Sequence, residues 1–398
     1  MQDKKQSLVP ELRFPGFEGE WEMKRIEDSF QERVEKNRGD LPLLSLGEEG
    51  LMLQSESQRK DNSNSDKSKY LRVAVGDIAY NTMRMWQGRC VHCDIEGIVS
   101  PTYTVCKPKE GIDPLFHYYL FKTNQMIGIF HQHSQGLVND TLNLKYEAFS
   151  KIKYLVPSLP EQQKIAECLS SVDDLIQAEA DQLQALKDHK KGLMQQLFPQ
   201  EGETTPKLRF PGCEGEWEEK KLGEVCNVVD DKCDIGSLTI VTYISTENML
   251  QDFEGVKIAS KLPNSGSFTR FNKGDILFSN IRPYLKKVWQ AVFDGAASND
   301  VIVFRTLDGY DRLFVSQVIK SDRFIAHSMS GAKGVKIPRG DKKMMLDYLF
   351  SIPSLPEQQK IAECLSSLDE GIAAQQEKVE ALKEHKKGLM QKLFPNLQ

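Results

Sequence analysis

The chain repeats itself, and this repeat restricts the fold more than any other feature of the sequence. Residues Pro157–Ser171 recur without a change as Pro353–Ser367, at an offset of 196 residues. Leu12–Gly16 recurs at the same offset as Leu208–Gly212. Self-similarity at a fixed period is typical of duplicated structural units. We therefore predict two copies of one scaffold within the 398 residues.

The segments between the repeated blocks are not alike. Residues 25–152 and 221–348 share only sparse landmarks, such as Gly76-Asp77-Ile78 with Gly274-Asp275-Ile276 and Arg84 with Arg282. A duplicated enzyme would be expected to keep its chemistry alike in both copies. Here the scaffold is alike and the inserts differ, which favours two domains that recognise two different things.

A heptad repeat follows each insert. Apolar residues step by alternating four and three across Pro160–Phe198, and again in the second copy. This period of 3.5 predicts a left-handed coiled coil. Glu179 with Gln375, and Lys190 with Lys386, interrupt the apolar seam and are expected to fix its register. The predicted seam residues are Ile165, Leu169, Val172, Ile176, Leu183, Leu186, Leu193, Leu197, Ile361, Leu365, Leu368, Ile372, Val379, Leu382, Leu389 and Leu393.

Chain length favours antiparallel pairing of the two helices. In a parallel pair, about twenty residues would have to return over nearly 60 Å, close to full extension. An antiparallel pair leaves the second insert where the first helix ends. The alternative is two separate core helices. We predict an α+β fold with a pseudo-twofold tandem repeat, in which two mixed α/β domains are separated by two long antiparallel coiled-coil helices.

Each insert shows the pattern of a compact mixed α/β domain. Residues 72–80 and 270–278 predict a strand, a Gly-Asp turn and a second strand, in the manner of a hairpin. Further strands are expected over residues 102–106, 288–293 and 301–305. An apolar helical stretch follows in each insert, over residues 115–130 and 312–325.

Local charge indicates what the inserts bind. The net charge of −5 excludes a uniformly basic chain but not local basic patches. Basic residues interleaved with polar and aromatic side chains follow the Gly-Asp turn in both inserts, which favours DNA over ordinary solvated surface. The candidate DNA-binding residues are Lys67, Lys69, Arg72, Asn81, Arg84, Gln87, Arg89, Arg270, Lys273, Asn280, Arg282, Tyr284, Lys286, Lys287, Lys333, Lys336 and Arg339.

Motifs of enzymes and metal sites are missing from the sequence. It contains no Gly-Lys or Pro-Pro dipeptide and no Gly-x-Gly-x-x-Gly, so we predict a non-catalytic chain. Cys90-Val91-His92-Cys93 has a zinc-like first pair, but no second pair follows at a usual spacing, and we predict no metal. With no long apolar run and no secretory pattern, we expect a cytoplasmic protein with no membrane contact.

The repeated motifs resemble those of a known family. Leu-Arg-Phe-Pro-Gly and Trp before each insert, Gly-Asp-Ile inside it, and Leu-Pro-Glu-Gln-Gln-Lys-Ile-Ala at the start of each helix are similar to the specificity subunit of type I restriction–modification enzymes. The resemblance implies that each insert reads one half of a split site in double-stranded DNA. It also implies two modification subunits that methylate adenine with S-adenosylmethionine, and restriction subunits that use ATP and Mg²⁺. No cofactor is expected on this chain. The alternative is a stand-alone sequence-specific DNA-binding regulator with a coiled-coil scaffold.

The resemblance also implies how the chain divides. The expected segments are an N-terminal conserved segment (1–24), target-recognition domain 1 (25–156), a central coiled-coil helix (157–199), a linker with the second conserved segment (200–220), target-recognition domain 2 (221–352) and a C-terminal coiled-coil helix (353–398).

Overall fold

The chain divides into two units that interleave along the sequence. In this computed structural model the first unit comprises residues 1–178 and 379–398, and the second comprises residues 179–378. The structure describes residues 8–47, 50–57, 61, 63–138, 141–200, 202–234, 236, 238–331 and 338–395. Each unit therefore contains one insert together with parts of both heptad segments.

The first unit carries the first insert. In chain order its elements are β1 (Glu22–Arg25), α1 (Ile26–Ser29), β2 (Phe30–Glu32), β3 (Leu44–Leu46), β4 (Leu51–Leu53), β5 (Leu71–Val73), β6 (Ile78–Asn81), β7 (Cys90–His92), β8 (Gly97–Val99), β9 (Tyr103–Pro108), α2 (Pro114–Phe121), α3 (Asn124–His133), α4 (Tyr146–Phe149), β10 (Lys153–Val156) and the start of α5 (Leu159–Leu197). The main sheet is antiparallel with strand order β2-β9-β6-β7, and β1 pairs with β10, β3 with β4 and β5 with β8.

The second unit carries the second insert. Its elements are β11 (Glu218–Lys221), α6 (Leu222–Val225), β12 (Cys226–Val228), β13 (Lys232–Asp234), β14 (Tyr243–Ile244), β15 (Ser267–Phe271), β16 (Ile276–Ser279), β17 (Val288–Gln290), β18 (Gly295–Ala297), β19 (Val301–Thr306), α7 (Arg312–Ile319), α8 (Asp322–Ser330), α9 (Lys342–Leu346), β20 (Leu349–Ile352) and most of α10 (Leu355–Leu393). Its sheets are β12-β19-β16-β17, β13-β15-β18-β14 and β11-β20, and β14 runs parallel to β18.

The central strand of each main sheet separates two cores. Successive side chains of a strand point to opposite faces. Ile78 and Tyr80 of β6 therefore pack on the helix side, while Ala79 packs on the other face. In the second unit Ile276 and Leu277 of β16 are divided in the same way. The apolar content of these strands is explained by burial on both faces.

The Gly-Asp turns join strands of different sheets, so the expectation of a hairpin is wrong. β5 pairs with β8 whereas β6 lies between β9 and β7, and β15 and β16 are separated in the same way. Each glycine has a positive φ, +88° at Gly76 and +95° at Gly274, which a residue with a side chain rarely adopts. The turn therefore transfers the chain from one sheet to the next.

The apolar stretch after each main sheet forms two helices instead of one. Thr123 interrupts the first stretch because its Oγ accepts the backbone N–H of Met126 and caps α3. Ser321 caps α8 by accepting from Phe324 at 3.2 Å. Ser and Thr side chains satisfy the free N–H groups at a helix start, which favours a new helix at these positions.

The long helices pair in antiparallel fashion, as predicted. In the first unit Ile165, near the start of α5, shares a core with Leu393 at the end of α10. In the second unit Ile361, near the start of α10, shares a core with Leu197 at the end of α5. All sixteen predicted seam residues are buried or half-buried. The heptad pattern thus identified the buried face of both helices.

Candidate nucleic-acid interface

A buried ion pair ties each repeated Leu-Arg-Phe-Pro-Gly block to the start of a long helix. Nε and Nη2 of Arg13 each donate to the carboxylate of Glu161 at 2.8 Å, and Arg209 contacts Glu357 with the same two distances. Both carboxylates are only 2% exposed. Bidentate pairs of this kind fix geometry as well as add energy. The repeat motif is therefore a structural clamp that holds the scaffold beside each insert.

The glutamine after each of these glutamates links the long helix to its insert. The Oε1 atom of Gln162 accepts the backbone N–H of Asp113 at 3.0 Å, and Gln358 accepts that of Asp311 at 2.9 Å. These aspartates cap α2 and α7. The repetition of Pro-Glu-Gln-Gln in the sequence signalled these roles, although sequence reasoning alone did not assign them.

Each Gly-Asp turn is held by an arginine from another strand. Asp77 accepts from Nε of Arg33 at 2.6 Å, and Asp275 accepts from Nη2 of Arg305 at 2.6 Å. The two arginines come from different strands. Arg33 directly follows β2 in the first unit. Arg305 lies in β19 of the second unit, and β19 pairs with β12, the counterpart of β2. The carboxylates raise the pKa values of both arginines, mainly through these hydrogen bonds. The turn is thus a rigid platform ahead of β6 and β16.

In the first unit, predicted contact residues line one polar cleft. The cleft has a volume of about 500 Å³ and is lined by Asn81, Gln87 and Arg89, together with Lys122 and Tyr103. Asn81 lies at the end of β6, and Gln87 lies in the short 3-10 turn Met85–Gln87 that follows.

Arg84 precedes the same 3-10 turn. Its side chain is half-buried, and it has no ion-pair partner in the described part of the chain. Amide and guanidinium groups together suit the donor and acceptor pattern of base edges.

In the second unit, the corresponding 3-10 turn Pro283–Leu285 has a strained backbone. Arg282 and Lys286 flank it with φ of +51° and +52°, and Tyr284 at its tip is 50% exposed. Backbone hydrogen bonds from Asp252 to Leu285 and from Phe253 to Lys286 hold the turn from one side. Strained backbone that persists in a folded protein is concentrated at functional sites.

A second segment lies against this turn. The backbone N–H of Arg282 donates to Pro338 at 2.9 Å, and Ile281 forms a β-bridge with Arg339. Asn280, at the start of the turn, has a buried Oδ1 atom with no hydrogen-bond partner among the described residues. The structure therefore brings together Asn280, Arg282, Tyr284 and Arg339.

Other predicted residues have carboxylate partners of their own. Arg72 contacts Glu35 and Glu96, Lys286 contacts Asp322, and Arg339 contacts Asp300. Arg270 lies 3.5 Å from Asp231. Such pairs reduce the charge available to a phosphate, and the reduction is greatest for Arg72, which has two partners.

The remaining predicted residues are exposed, have partners of their own or fall outside the described residues. Lys69 and Lys273 are exposed, and Lys273 precedes β16 whereas Arg282 follows it, so the two lie at opposite ends of that strand. Lys67 donates to Ser63 and Asn64. Lys287 donates to the carbonyl of Thr246 at 2.7 Å, and burial lowers its pKa. Lys333 and Lys336 lie outside the described residues.

The cysteines of the zinc-like pair do not converge. Cys90 and Cys106 belong to the core on the helix side, while Cys93 belongs to the core on the opposite face. Burial raises the pKa of Cys90 to about 11. Among the described residues no group of three or more His, Cys, Asp or Glu side chains is placed to hold a metal ion. Nor does any described helix have the length and apolar content to cross a membrane.

Comparison with known proteins accounts for this duplicated arrangement. Residues 19–188 and 214–384 each match the model of the type I restriction modification DNA specificity domain. The chain belongs to this family. The two copies of the specificity domain coincide with the two repeats, each running from the segment before an insert into the long helix that follows it.

Known specificity subunits are similar to this chain, some along nearly its whole length and one over a shorter stretch. The type I restriction enzyme MjaVIII specificity subunit of Methanocaldococcus jannaschii is 23% identical over 94% of this chain and 92% of that protein. The type I restriction enzyme EcoDI specificity subunit of Escherichia coli is 30% identical over 25% of this chain and 22% of its own length. The solved S subunit of a type I restriction–modification system from M. genitalium has the same fold, with a TM-score of 0.60 at 14% identity, covering 98% of this chain and 100% of that one.

Proposed function

We propose that this chain is the DNA sequence-specificity subunit of a type I restriction–modification complex, in which each insert reads one half of a bipartite DNA site. The observation that carries the proposal is the matched position of two 3-10 turns. Arg84 and Arg282 precede these turns after the central strand of each main sheet, within inserts that otherwise differ. Family membership favours this function over a stand-alone regulator.

The two turns are the proposed reading elements. An arginine can donate two parallel hydrogen bonds to guanine, and an exposed tyrosine offers a flat surface for stacking or sugar contact. Arg282 and Tyr284 have these properties in the second insert. In the first insert Arg84 is accompanied by Asn81 and Gln87, whose amides match the edge of adenine. The turns occupy the same position in the two inserts but carry different side chains, which supports recognition of two different half-sites.

The remaining parts of the proposal concern the partners. The paired helices would set the unread gap between the half-sites, and the six-segment division of the chain given above would describe its parts. Two modification subunits would methylate adenine with S-adenosylmethionine, and restriction subunits would cut DNA with ATP and Mg²⁺. The names of the relatives, which are specificity subunits of type I restriction enzymes, support this division of labour. A cytoplasmic location is part of the same proposal.

An insert exchange tests the function. The chain is expressed with its methyltransferase subunits, and adenine methylation is mapped across the host genome by single-molecule sequencing. We expect one bipartite motif. Replacing residues 25–152 with the insert of another family member should change one half-site and preserve the other half-site and the gap. Changes in both half-sites would contradict the assignment of one half-site to each insert.

Substitution of the two arginines tests the contact residues. Arg84→Ala or Arg282→Ala should each weaken binding of the methyltransferase complex to its site by about 1–3 kcal/mol. Arg25→Ala is the control, because Arg25 is an exposed residue of β1 that pairs with Glu27 and is not among the candidate contact residues. Normal binding by both turn variants would remove these arginines from the interface.

A further inference from the structure

The seam between the long helices contains polar residues at its middle. In the second unit Nε2 of Gln375 donates to Oε2 of Glu179 at 2.7 Å and to its carbonyl oxygen at 2.9 Å. Nζ of Lys378 lies 2.6 Å from Oε1 of the same carboxylate. The Glu179 side chain is only 12% exposed. We call Glu179, Gln375 and Lys378 the central trio.

The residues of the central trio differ from their equivalents in the other long helix. Glu179 and Gln375 occupy equivalent positions, 196 residues apart, and the equivalent of Lys378 in the first helix is Gln182. The first helix therefore supplies an acid and an amide, while the second supplies an amide and a base. Around these positions the seam is nearly the same in both copies.

The polar pairs on either side of the trio, by contrast, consist of the same residue types in both copies of the repeat. Nζ of Lys386 lies 2.5 Å from Asp173 in the first unit, and Nζ of Lys190 lies 2.5 Å from Asp369 in the second. These two pairs are equivalent, since both the lysines and the aspartates are 196 residues apart. Any antiparallel combination of the two helices would place an aspartate opposite a lysine. These pairs consequently favour one direction and register but do not distinguish one helix from the other.

Among the polar seam residues that the structure describes, the central trio distinguishes the two helices. If the first helices of two copies paired, Glu179 would face a second Glu179, and Gln182 would stand where Lys378 provides a cation. If the second helices of two copies paired, each Lys378 would face Gln375 of the other copy and would have no carboxylate at position 179 to pair with. Like charges in a partly buried seam are unfavourable, and a few polar seam positions are known to decide which coiled-coil helices associate.

We propose that the central trio determines partner choice, so that the first long helix accepts the second long helix and rejects its own counterpart in another copy of the chain. A duplicated chain needs such a device because its two apolar seams are interchangeable. Hydrogen bonds from Lys378 and then Gln375 lower the pKa of Glu179, so this carboxyl is charged at neutral pH. The inference does not depend on DNA binding.

Stability measurements on the full-length chain test the charge pattern. Gln375→Glu places two carboxylates in the seam and should raise the unfolding equilibrium constant about tenfold or more at pH 7. The loss should diminish as the pH falls and one carboxylate takes up a proton. Across the seam the charged group facing position 179 is Lys378, and residues one turn away on the same helix, Ile176 and Leu183, are uncharged.

Two matched variants complete the stability test. Glu179→Gln keeps an amide pair and should show no such recovery at low pH. The fourfold transposition E179Q/Q182K/Q375E/K378Q exchanges the trio between the helices and should restore wild-type stability. A transposed chain as unstable as Gln375→Glu, or a Gln375→Glu chain as stable as wild type, would overturn the proposal.

Mixing of tagged chains tests partner choice directly. Wild-type chains with two different tags are unfolded together in urea, refolded and co-purified, and the same is done for Glu179→Gln. In both proteins the first helix of one copy can pair with the second helix of another copy. Pairing of two first helices is unfavourable only in the wild type, because there Glu179 faces a second Glu179. We expect several-fold more mixed-tag dimers from Glu179→Gln. Equal yields would show that the trio does not select the partner.

Discussion

A chain of buried polar groups runs through the core of the first unit and is replaced by apolar residues in the second. Nδ1 of His117 lies 2.7 Å from the carbonyl oxygen of Asp113, and Nε2 lies 3.0 Å from the hydroxyl of Tyr154, which reaches Ser29. The equivalent residues of the second unit are all apolar: Val315 and Val225, which are buried, and Phe350, which is half-buried. A hydrogen-bonded core and an apolar core thus occupy the same positions of one scaffold.

This difference predicts that acid destabilises the first unit more than the second. Burial lowers the pKa of His117 to about 4, whereas a histidine in an unfolded chain titrates near 6.5. As the pH falls from about 6.5 to about 4, the unfolded form gains a proton that the folded form does not, so stability is lost, by up to about 3 kcal/mol.

Hydrogen exchange corrected for intrinsic rates measures each unit separately across this pH range. The variant S29V/H117V/Y154F carries the side chains of the second unit and should remove the pH slope in the first. An equal slope in both units of the wild type would exclude His117 as its cause.

The aspartates of the two Gly-Asp turns should differ in their contribution to stability. Arg33 is 15% exposed beside Asp77, whereas Arg305 is 41% exposed beside Asp275. Asp77→Asn should cost about 3 kcal/mol, because it leaves a partly buried guanidinium without its carboxylate. Asp275→Asn should cost about 1 kcal/mol, because solvent screens Arg305. Urea unfolding of both variants measures the two losses of stability. Equal losses would mean that the exposure of the arginine does not determine how much each ion pair contributes.

At the scale of elements, the start of each long helix depends on a buried glutamate. Glu161 accepts hydrogen bonds from Arg13 and from Nε1 of Trp21, and Glu357 accepts from Arg209. Glu161→Gln and Glu357→Gln should each cost about 3 kcal/mol, because each leaves a partly buried arginine unpaired.

The two glutamate sites lie in different units and share no partner. Their effects in the double variant should therefore add to within about 0.5 kcal/mol. Denaturant unfolding of the single and double variants checks this, and a clear departure from additivity would show that the two helix starts are coupled.

At the scale of the whole molecule, the proposed spacing role of the helices predicts the effect of a shortened chain. Deleting Gln177–Leu183 together with Ala373–Val379 removes one heptad from each helix, about 10 Å. At about 3.4 Å per base pair this corresponds to roughly three base pairs. Methylation mapping should find both half-sites unchanged and only the gap altered.

The heptad deletion also removes Glu179, Gln375 and Lys378, and this requires a control. The variant E179A/Q375A/K378A keeps the helix length and should therefore keep the original gap. An active deletion variant with the original gap would mean that the helices do not determine the spacing.

The duplicated scaffold and its paired helices were predictable from the sequence alone. The heptad period is a local property of the chain, and the predicted helix over Pro160–Phe198 differs from α5 by one residue at each end. Antiparallel pairing followed from contour length, because few residues join the first helix to the second insert. Such short-range and length constraints act on a chain before any domain folds.

Only the tertiary structure decided how the basic residues of the inserts are used. The sequence placed Arg72 and Arg84 in one basic patch, but folding brings Glu35 and Glu96 to Arg72, and neither lies within twenty residues of it. The strands before and after each Gly-Asp turn entered different sheets for the same reason. Strand pairing joins residues distant in sequence, and neither local periodicity nor charge pattern specifies which strand becomes the neighbour.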